Sequence, residues 1–573
     1  MSPSGIADLL PRAAQKHGSS DAVMFDDGGT WVKRSYADVV GTVATLAKGL
    51  MALGVERGDK VSILANTRPE WTYFDFAALS AGATVVPIYQ TNSPEECEYV
   101  LENSEAKVVV VEDESQLAKV RRVRDSLPNL EHVVLMVGEA SDAISTADLV
   151  GRGERLDDAA WTERYESVTG DDVCTIIYTS GTTGPPKGCV ISHANYRAMV
   201  DMIAAEDIIR SEDLIYLFLP LAHSFAMLIQ LGSFELGATL AYWSLDPKRI
   251  IDDVAAVRPT LLPSVPRIFE KVYTKASAVE GIKKELLKRS ISTGRKVRER
   301  ELGGKTPGFP LSLQYKLADK LVLSKIRELL GGRVRLCVTG AAPINQEILE
   351  FFWAAGVLVL EGYGMTETST SATINRPDAF KFGTIGQPWD GVEVRCGDDG
   401  EILVKGPNVF QGYYKNPEAT AETLVDGWLH TGDLGEIDSE RFVKITGRKK
   451  DIIITAGGKN ITPANFEGDM KQHPLVSQCV MVGDRRPYLT AIVTLDPEEA
   501  PEGAATDPTV RAELERHMDE VNQRYAQVEQ VKKLTILPHD LSQETGELTP
   551  TMKVKRNVVI DKYADEIDAL YAS

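Results

Sequence analysis

Apolar and polar positions along the first 170 residues switch repeatedly between two periods. Residues 36–53 carry apolar side chains at helical spacing, 60–64 form a short β-rich run, and 71–81 is helical again. Further β-rich runs at 84–87, 107–111 and 132–136 are separated by helical stretches, which predicts α/β architecture. The alternation continues through 214–219, 238–242 and 334–338. Residues 392–404 then read as a strand pair broken by the turn Gly397-Asp398-Asp399-Gly400. A charged run, Gly447-Arg448-Lys449-Lys450-Asp451, separates a predicted strand at 442–445 from another at 452–455 and marks a boundary: residues 1–448 form a large N-terminal domain and 449–573 a small α+β unit. Within that unit the pattern predicts strands at 478–482 and 490–495 and a helix over 509–527. There is no internal repeat.

With 573 residues and 43% apolar content, the chain is long enough for several compact units, and no stretch approaches the ~20 apolar residues that cross a bilayer. Residues 1–12 lack a basic segment followed by a long apolar one, so the expected location is cytoplasmic. The six cysteines are scattered without a CxxC pair and read as reduced structural thiols. A net charge of −20 argues against nucleic-acid binding, which needs a basic surface. Charge is unevenly spread, however: residues 267–335 hold 18 Lys and Arg against 7 Asp and Glu, a local balance of +11.

The most informative segment is Tyr178-Thr179-Ser180-Gly181-Thr182-Thr183-Gly184-Pro185-Pro186-Lys187-Gly188, directly after the β-run 174–177. Glycines permit close backbone approach, hydroxyls and amides donate to phosphate oxygens, and lysine supplies charge. A plain turn between two strands is the bland alternative. A P-loop would need GxxxxGK[ST] with a helix starting at the lysine, whereas here Gly188 and the β-like Cys189-Val190-Ile191 follow Lys187, and a helix begins only near Ser192. His193 falls in the first turn of that helix. A second segment, Glu361-Gly362-Tyr363-Gly364-Met365-Thr366-Glu367-Thr368, offers an aromatic ring to stack on adenine, a hydroxyl for phosphate in Thr366 and a carboxylate for Mg²⁺ in Glu367.

Together these segments resemble the signatures of the adenylate-forming superfamily of acyl-CoA synthetases, luciferases and nonribosomal adenylation domains. Collinear signatures support the resemblance: Leu219-Pro220-Leu221-Ala222-His223, Gly340-Ala341-Ala342-Pro343, Trp428-Leu429-His430-Thr431-Gly432-Asp433, Gly447-Arg448-Lys449-Lys450-Asp451 and Leu548-Thr549-Pro550-Thr551-Met552-Lys553. It implies α/β subdomains plus a β-barrel-like subdomain in the large domain, and a mobile C-terminal lid. It also implies ATP, Mg²⁺ and coenzyme A as cofactors and co-substrates.

The resemblance assigns roles residue by residue. Thr179, Ser180, Gly181, Thr182, Thr183, Gly184 and Lys187 cradle phosphates, with Thr179 and Glu367 at the metal. Gly340, Ala341 and Ala342 lie against adenine, alongside Glu361, Gly362, Tyr363 and Gly364. Asp433 accepts the ribose hydroxyls, Arg448 contacts ribose or phosphate, and His223 lies between the phosphates and the carboxylate, with Ser224 and Phe225 opening the acyl pocket. Catalytic weight falls on Lys553, Glu367, His223 and Thr366, Lys553 being the lysine set against the α-phosphate. Lys450 occupies the hinge. Gly457, Gly458 and Lys459 belong to a segment that swings in to form the pantetheine tunnel.

The insertion 267–335, with Leu323-Ser324-Lys325-Ile326-Arg327 near its end, is similar to that of long-chain fatty acyl-CoA synthetases. The expected activity is therefore ATP-dependent activation of a long-chain fatty acid to acyl-adenylate, followed by transfer to coenzyme A. Adenylation of an aryl, amino or polyketide-type acid that loads a separate carrier protein is the alternative. A non-catalytic ATP-binding regulator would be expected to lack Lys553 or Glu367. The basic helices of 267–335 read either as a solvated face or as a surface for anionic lipid or fatty acid, making the protein peripheral at a membrane.

Overall fold

The computed structural model describes residues 5–179, 185–456, 459–549 and 552–572. Two large, mainly parallel sheets dominate. The first has eight strands in the order Gly412–Tyr413, Lys187–Ser192, Val173–Thr179, Thr84–Ile88, Lys60–Leu64, Val108–Val111, His132–Leu135 and Ile144–Ser145. The second has nine: Gln387–Pro388, Thr373–Ile374, Leu358–Tyr363, Leu336–Thr339, Leu261–Ser264, Leu214–Leu217, Thr239–Tyr242, Asp21–Asp27 and Thr30–Ser35. Central strands such as Val108–Val111 are buried along their whole length, as strands covered on both faces must be. That is why they read as continuous apolar runs rather than alternations.

Helices packed with both sheets complete the main core. Pro69–Ser80 and Ser224–Leu236 bury side chains on almost every side, so neither shows an amphipathic stripe. Between them Gln230 donates to Asp75 (2.8 Å) and accepts from Thr72 (2.5 Å), a polar link inside an otherwise apolar layer. At the helix starts, Ser35 and Ser93 form capping boxes with Asp38 and Glu96, satisfying backbone donors that the first turn leaves free.

The subdomain expected to be barrel-like is a five-stranded antiparallel sheet in which Trp428–Ile437 pairs with three neighbours, Glu401–Lys405, Leu424–Val425 and Val443–Arg448. Its last strand runs further than the pattern predicts. Gly447 and Arg448 continue the ladder opposite Leu434 and Asp433, and only Lys449–Asp451 turns away, as one 3₁₀ turn. In the C-terminal part, strands Val476–Val482, Leu489–Leu495 and Val531–Ile536 form a sheet with its own apolar clusters. Helix Pro508–Asn522 is shorter than predicted: the Asn522 side chain bonds the Val531 N–H (3.0 Å) and carbonyl (2.9 Å) and turns the chain into the next strand.

All six cysteines are free thiols, five of them buried. No helix among the described residues is long and apolar enough to cross a membrane.

Candidate active site

Four of the predicted motifs converge because each follows the carboxyl end of a parallel strand. Leu214–Leu217 leads to Leu219–His223, Leu336–Thr339 to Gly340, Leu358–Tyr363 to Gly364, and Val173–Thr179 to the phosphate segment. Ligands in open α/β sheets bind at this edge. Here the edge opens into a cavity of about 1950 Å³ whose wall includes His223, Gly340–Ala342, Glu361–Gly364, Asp433, Arg448, Lys450 and Lys553. Phe225, Val265, Ile268, Tyr273, Ile344 and Ile348 supply an apolar part of the same wall.

Ser180, Gly181, Thr182, Thr183 and Gly184 lie outside the described residues, as do Gly457 and Gly458. What flanks the phosphate segment is an antiparallel hairpin, with Thr179 opposite Lys187. Ser192 caps the next helix, and His193 is buried in its first turn. There His193 Nδ1 accepts from the Ile6 N–H (3.2 Å), so this histidine is structural.

Lys187 places its ammonium 5.1 Å from the ring centre of Tyr413. The Tyr413 hydroxyl donates to Glu367 Oε1 (2.7 Å), tying the candidate metal carboxylate to the strand beside the phosphate segment. Thr179 and Glu367 meet across Cys189. The Thr179 hydroxyl lies 3.9 Å from its sulfur, and burial together with the Glu367 charge pushes the Cys189 thiol far up. One carboxylate and one hydroxyl fit Mg²⁺, a hard cation that binds few protein oxygens and takes others from phosphates and water. Neither Glu367 nor buried Thr366 borders the large cavity directly.

A second constellation centres on buried Asp433. Its Oδ2 accepts from the Tyr363 hydroxyl (2.6 Å) and its Oδ1 from Arg448 Nε (2.7 Å), each oxygen keeping a lone pair for a further donor. Arg448 faces Asp433 because the two are register partners across adjacent strands. Backbone packing is tight nearby. A Cβ on Gly364 would sit 2.0 Å from the Thr370 carbonyl, and Ala341 is held at φ +68°, the left-handed region that costs a non-glycine residue energy. Glu361 is buried in the wall, and burial raises its carboxyl to about 8, so it is mostly neutral at pH 7 and able to donate a hydrogen bond.

His223 caps helix Ser224–Leu236, its Nδ1 accepting from the Phe225 N–H (3.2 Å), which leaves the ring proton on Nε2. Burial, and then the nearby Lys553 charge, lower its pKa to about 3, so it is neutral. Lys553 comes from the C-terminal part of the chain and enters among these groups. Crowding by atoms on both sides of the cleft and the Arg448 charge lower its pKa, against the pull of Asp433 and Glu367. Its side chain retains solvent contact on the cavity wall. Lys450 also borders the cavity, while Lys459, exposed just before strand Asn460–Ile461, does not.

Two contributors escape sequence reasoning. Tyr413 positions Glu367, and its only sequence signal is an aromatic pair after Gly412. Buried Glu401 accepts from the Gly432 N–H (2.8 Å), His430 (2.9 Å) and Lys449 (2.7 Å), fixing the strand that carries Asp433 and the residue next to the predicted hinge. A glutamate at the start of a strand after a Gly-Asp-Asp-Gly turn carries no such signal.

Residues 10–414 match the AMP-binding enzyme family and residues 450–573 the AMP-binding enzyme C-terminal domain, and the chain belongs to this family of adenylate-forming enzymes. Among its relatives, the long-chain-fatty-acid–CoA ligase FadD15 of Mycobacterium bovis is 40% identical, the match covering 95% of this chain and 93% of that protein. The long-chain-fatty-acid–CoA ligase ACSBG2 of Xenopus laevis is 34% identical over 99% of this chain and 84% of its own length. The fold matches the anthranilate CoA ligase AuaEII, solved with anthranoyl-AMP, at a TM-score of 0.77 and 22% identity, covering 99% and 98% of the two chains.

Proposed function

We propose that the protein is an AMP-forming acid–thiol ligase that activates a long-chain fatty acid and transfers it to coenzyme A. A carboxylate cannot be attacked by a thiol directly, because its charge is delocalised and oxide does not leave. In the first half-reaction a carboxylate oxygen forms a bond to the α-phosphorus of ATP and pyrophosphate departs. In the second, the coenzyme A sulfur attacks the acyl carbon of the mixed anhydride, AMP leaves and the thiol proton goes to solvent. The relatives' names support the acid and the acceptor. The cavity, roughly twice the ~1000 Å³ of large small-molecule sites, has room for a nucleotide and an acyl chain together.

The observation that carries this reading is that Lys553 shares one cavity wall with Arg448, Asp433 and His223. In the first half-reaction an anion approaches a polyanion, so fixed cations near the α-phosphate lower the barrier most. Lys553 and Lys187 supply them, Asp433 and Arg448 hold the ribose, Tyr363 and Gly340–Ala342 border the adenine, and neutral His223 donates from Nε2 toward the carboxylate. Thr179 and Glu367 would hold Mg²⁺, which when bound neutralises charge on the phosphate oxygens.

The chain divides functionally at 448/449. After pyrophosphate leaves, the C-terminal domain rotates about Lys450, withdrawing Lys553 and bringing the segment of Gly457, Gly458 and Lys459 to the site as the pantetheine passage. The protein works at a membrane periphery through the basic segment 267–335, although not with all of its charge. Arg267, Arg295, Arg327 and Arg335 are already paired with Asp496, Glu350, Asp319 and Asp213. The test is pyrophosphate release with a panel of fatty, aryl and amino acids, with and without coenzyme A. Release driven by long-chain acids, with acyl-CoA formed when coenzyme A is present, supports the reading; phosphate release, or preference for aryl or amino acids, overturns it.

A further inference from the structure

Within the basic segment, one face of two neighbouring helices has no partner among the described residues. Helix Phe309–Ala318 and the turn Asp319–Leu323 after it pack against helix Gly281–Leu302, with Tyr315 accepting from Arg298 (2.7 Å) and Ala318 and Leu323 buried. The outer side carries Phe309, Leu313, Leu317 and Leu321, spaced four residues apart and therefore forming one row. Phe309 is 81% exposed, Leu313 59% and Leu317 60%; on the adjoining helix Ile282 is 90% exposed and Leu286 is exposed as well. Scattered exposed leucines need no explanation, but six large apolar residues on two packed helices do.

Charge identifies what covers them. Residues 281–328 hold 13 Lys and Arg against 5 Asp and Glu, in a chain of net charge −20. Lys283, Lys284, Lys288, Lys316 and Lys320 are exposed beside the apolar residues. An apolar row flanked by long cationic side chains is the composition of a surface lying in a lipid interface, with apolar residues in the acyl boundary and ammonium groups level with phosphates. A partner helix would lie in an apolar groove, whereas this row stands on the outer side of its helix.

We propose that the row Phe309, Leu313, Leu317 and Leu321, with Ile282 and Leu286 beside it, docks the protein on a bilayer containing anionic phospholipid, the flanking lysines reading the headgroup charge. This deepens the membrane-periphery reading above by naming the residues that enter the lipid. It predicts binding that needs both parts: anionic headgroups for attraction and the apolar row for insertion.

The experiment is co-sedimentation of the full-length protein with phosphatidylcholine vesicles, with and without phosphatidylglycerol. It compares wild type, Phe309→Ser/Leu313→Ser and Lys316→Glu/Lys320→Glu. These side chains face solvent, so folding is retained, and pyrophosphate release with a short soluble acid checks catalysis separately. Wild type is expected to sediment with phosphatidylglycerol vesicles only, and each double variant to partition at least about tenfold less. Equal binding by wild type and Phe309→Ser/Leu313→Ser would show contact through charge alone and overturn the proposal. So would absence of wild-type binding, or a dimer in light scattering that this variant dissolves. Loss of catalysis in all three proteins with binding intact would instead count against the ligase reading.

Discussion

Arg448 donates from Nε to Asp433 Oδ1 at 2.7 Å across paired strands, while Tyr363 holds the other carboxylate oxygen. The proposed ribose site is thus held in shape by side chains from its own strands. Asp433→Asn would keep the shape but replace an acceptor oxygen with a donor facing Arg448 or Tyr363. A rise in KM for ATP of about 10²-fold is expected in the pyrophosphate assay, with a smaller change in kcat. An unchanged KM would remove Asp433 from the nucleotide site.

Lys553→Ala separates the two half-reactions. Acyl-adenylate formation should fall by about 10³-fold or more, whereas thioester formation from supplied acyl-adenylate should change little. Equal loss in both would argue against a lysine that serves only one domain orientation.

The lowered pKa of Lys553 has a sign that can be read directly. With its cation serving the first half-reaction as proposed, adenylation should decline as pH rises through a value below the ordinary lysine range. The second half-reaction should lack that limb. His223, with a pKa of about 3, is neutral from mild acid upward and should contribute no limb near pH 6.5.

His193 makes a stability prediction. Burial lowers its pKa to about 4, so below pH 6.5 the unfolded chain binds a proton that the folded chain does not, and stability falls with acidification between about 6.5 and 4. The contribution is roughly 3 kcal/mol at the acid end. His193→Gln should flatten that part of a denaturation-midpoint profile against pH.

Contacts between the two parts of the chain predict a conformational effect. Arg267 pairs with Asp496, and Lys271 with Glu498 at 2.7 Å. Arg267→Ala/Lys271→Ala should slow adenylation severalfold and leave thioester formation unchanged or faster, and added salt should mimic it in wild type. Equal effects on both half-reactions would mean that these pairs do not bias domain orientation.

How legible all this is in the sequence depends on how local the physics is. The buried strands 60–64 and 108–111 announce themselves because burial on both faces leaves mostly apolar residues. Motif order finds His223, Asp433, Arg448 and Lys553, but not that Asp433 is held by Tyr363 from 70 positions away. The two outermost strands of the large sheet, Asp21–Asp27 and Thr30–Ser35, are half-exposed and mixed in pattern, so periodicity passes over them. Tyr413 and Glu401 act only through pairings made by folding, and the row from Phe309 is not singled out by the sequence, because helical spacing alone does not say which face another helix covers.

Lys449 is anchored to Asp399 (2.6 Å) and Glu401 (2.7 Å) on the large domain, and Lys450 follows at once. Between these lysines there is no slack. A swinging lid on a long tether would sample many directions and find its second position by diffusion. A pivot confined to one peptide link behaves as a crank, for which the reachable orientations lie on an arc and stopping points are set by the surfaces that meet. Inserting even a few residues after Lys449 would therefore be expected to leave both domains intact and each half-site competent, while the two steps lose their order.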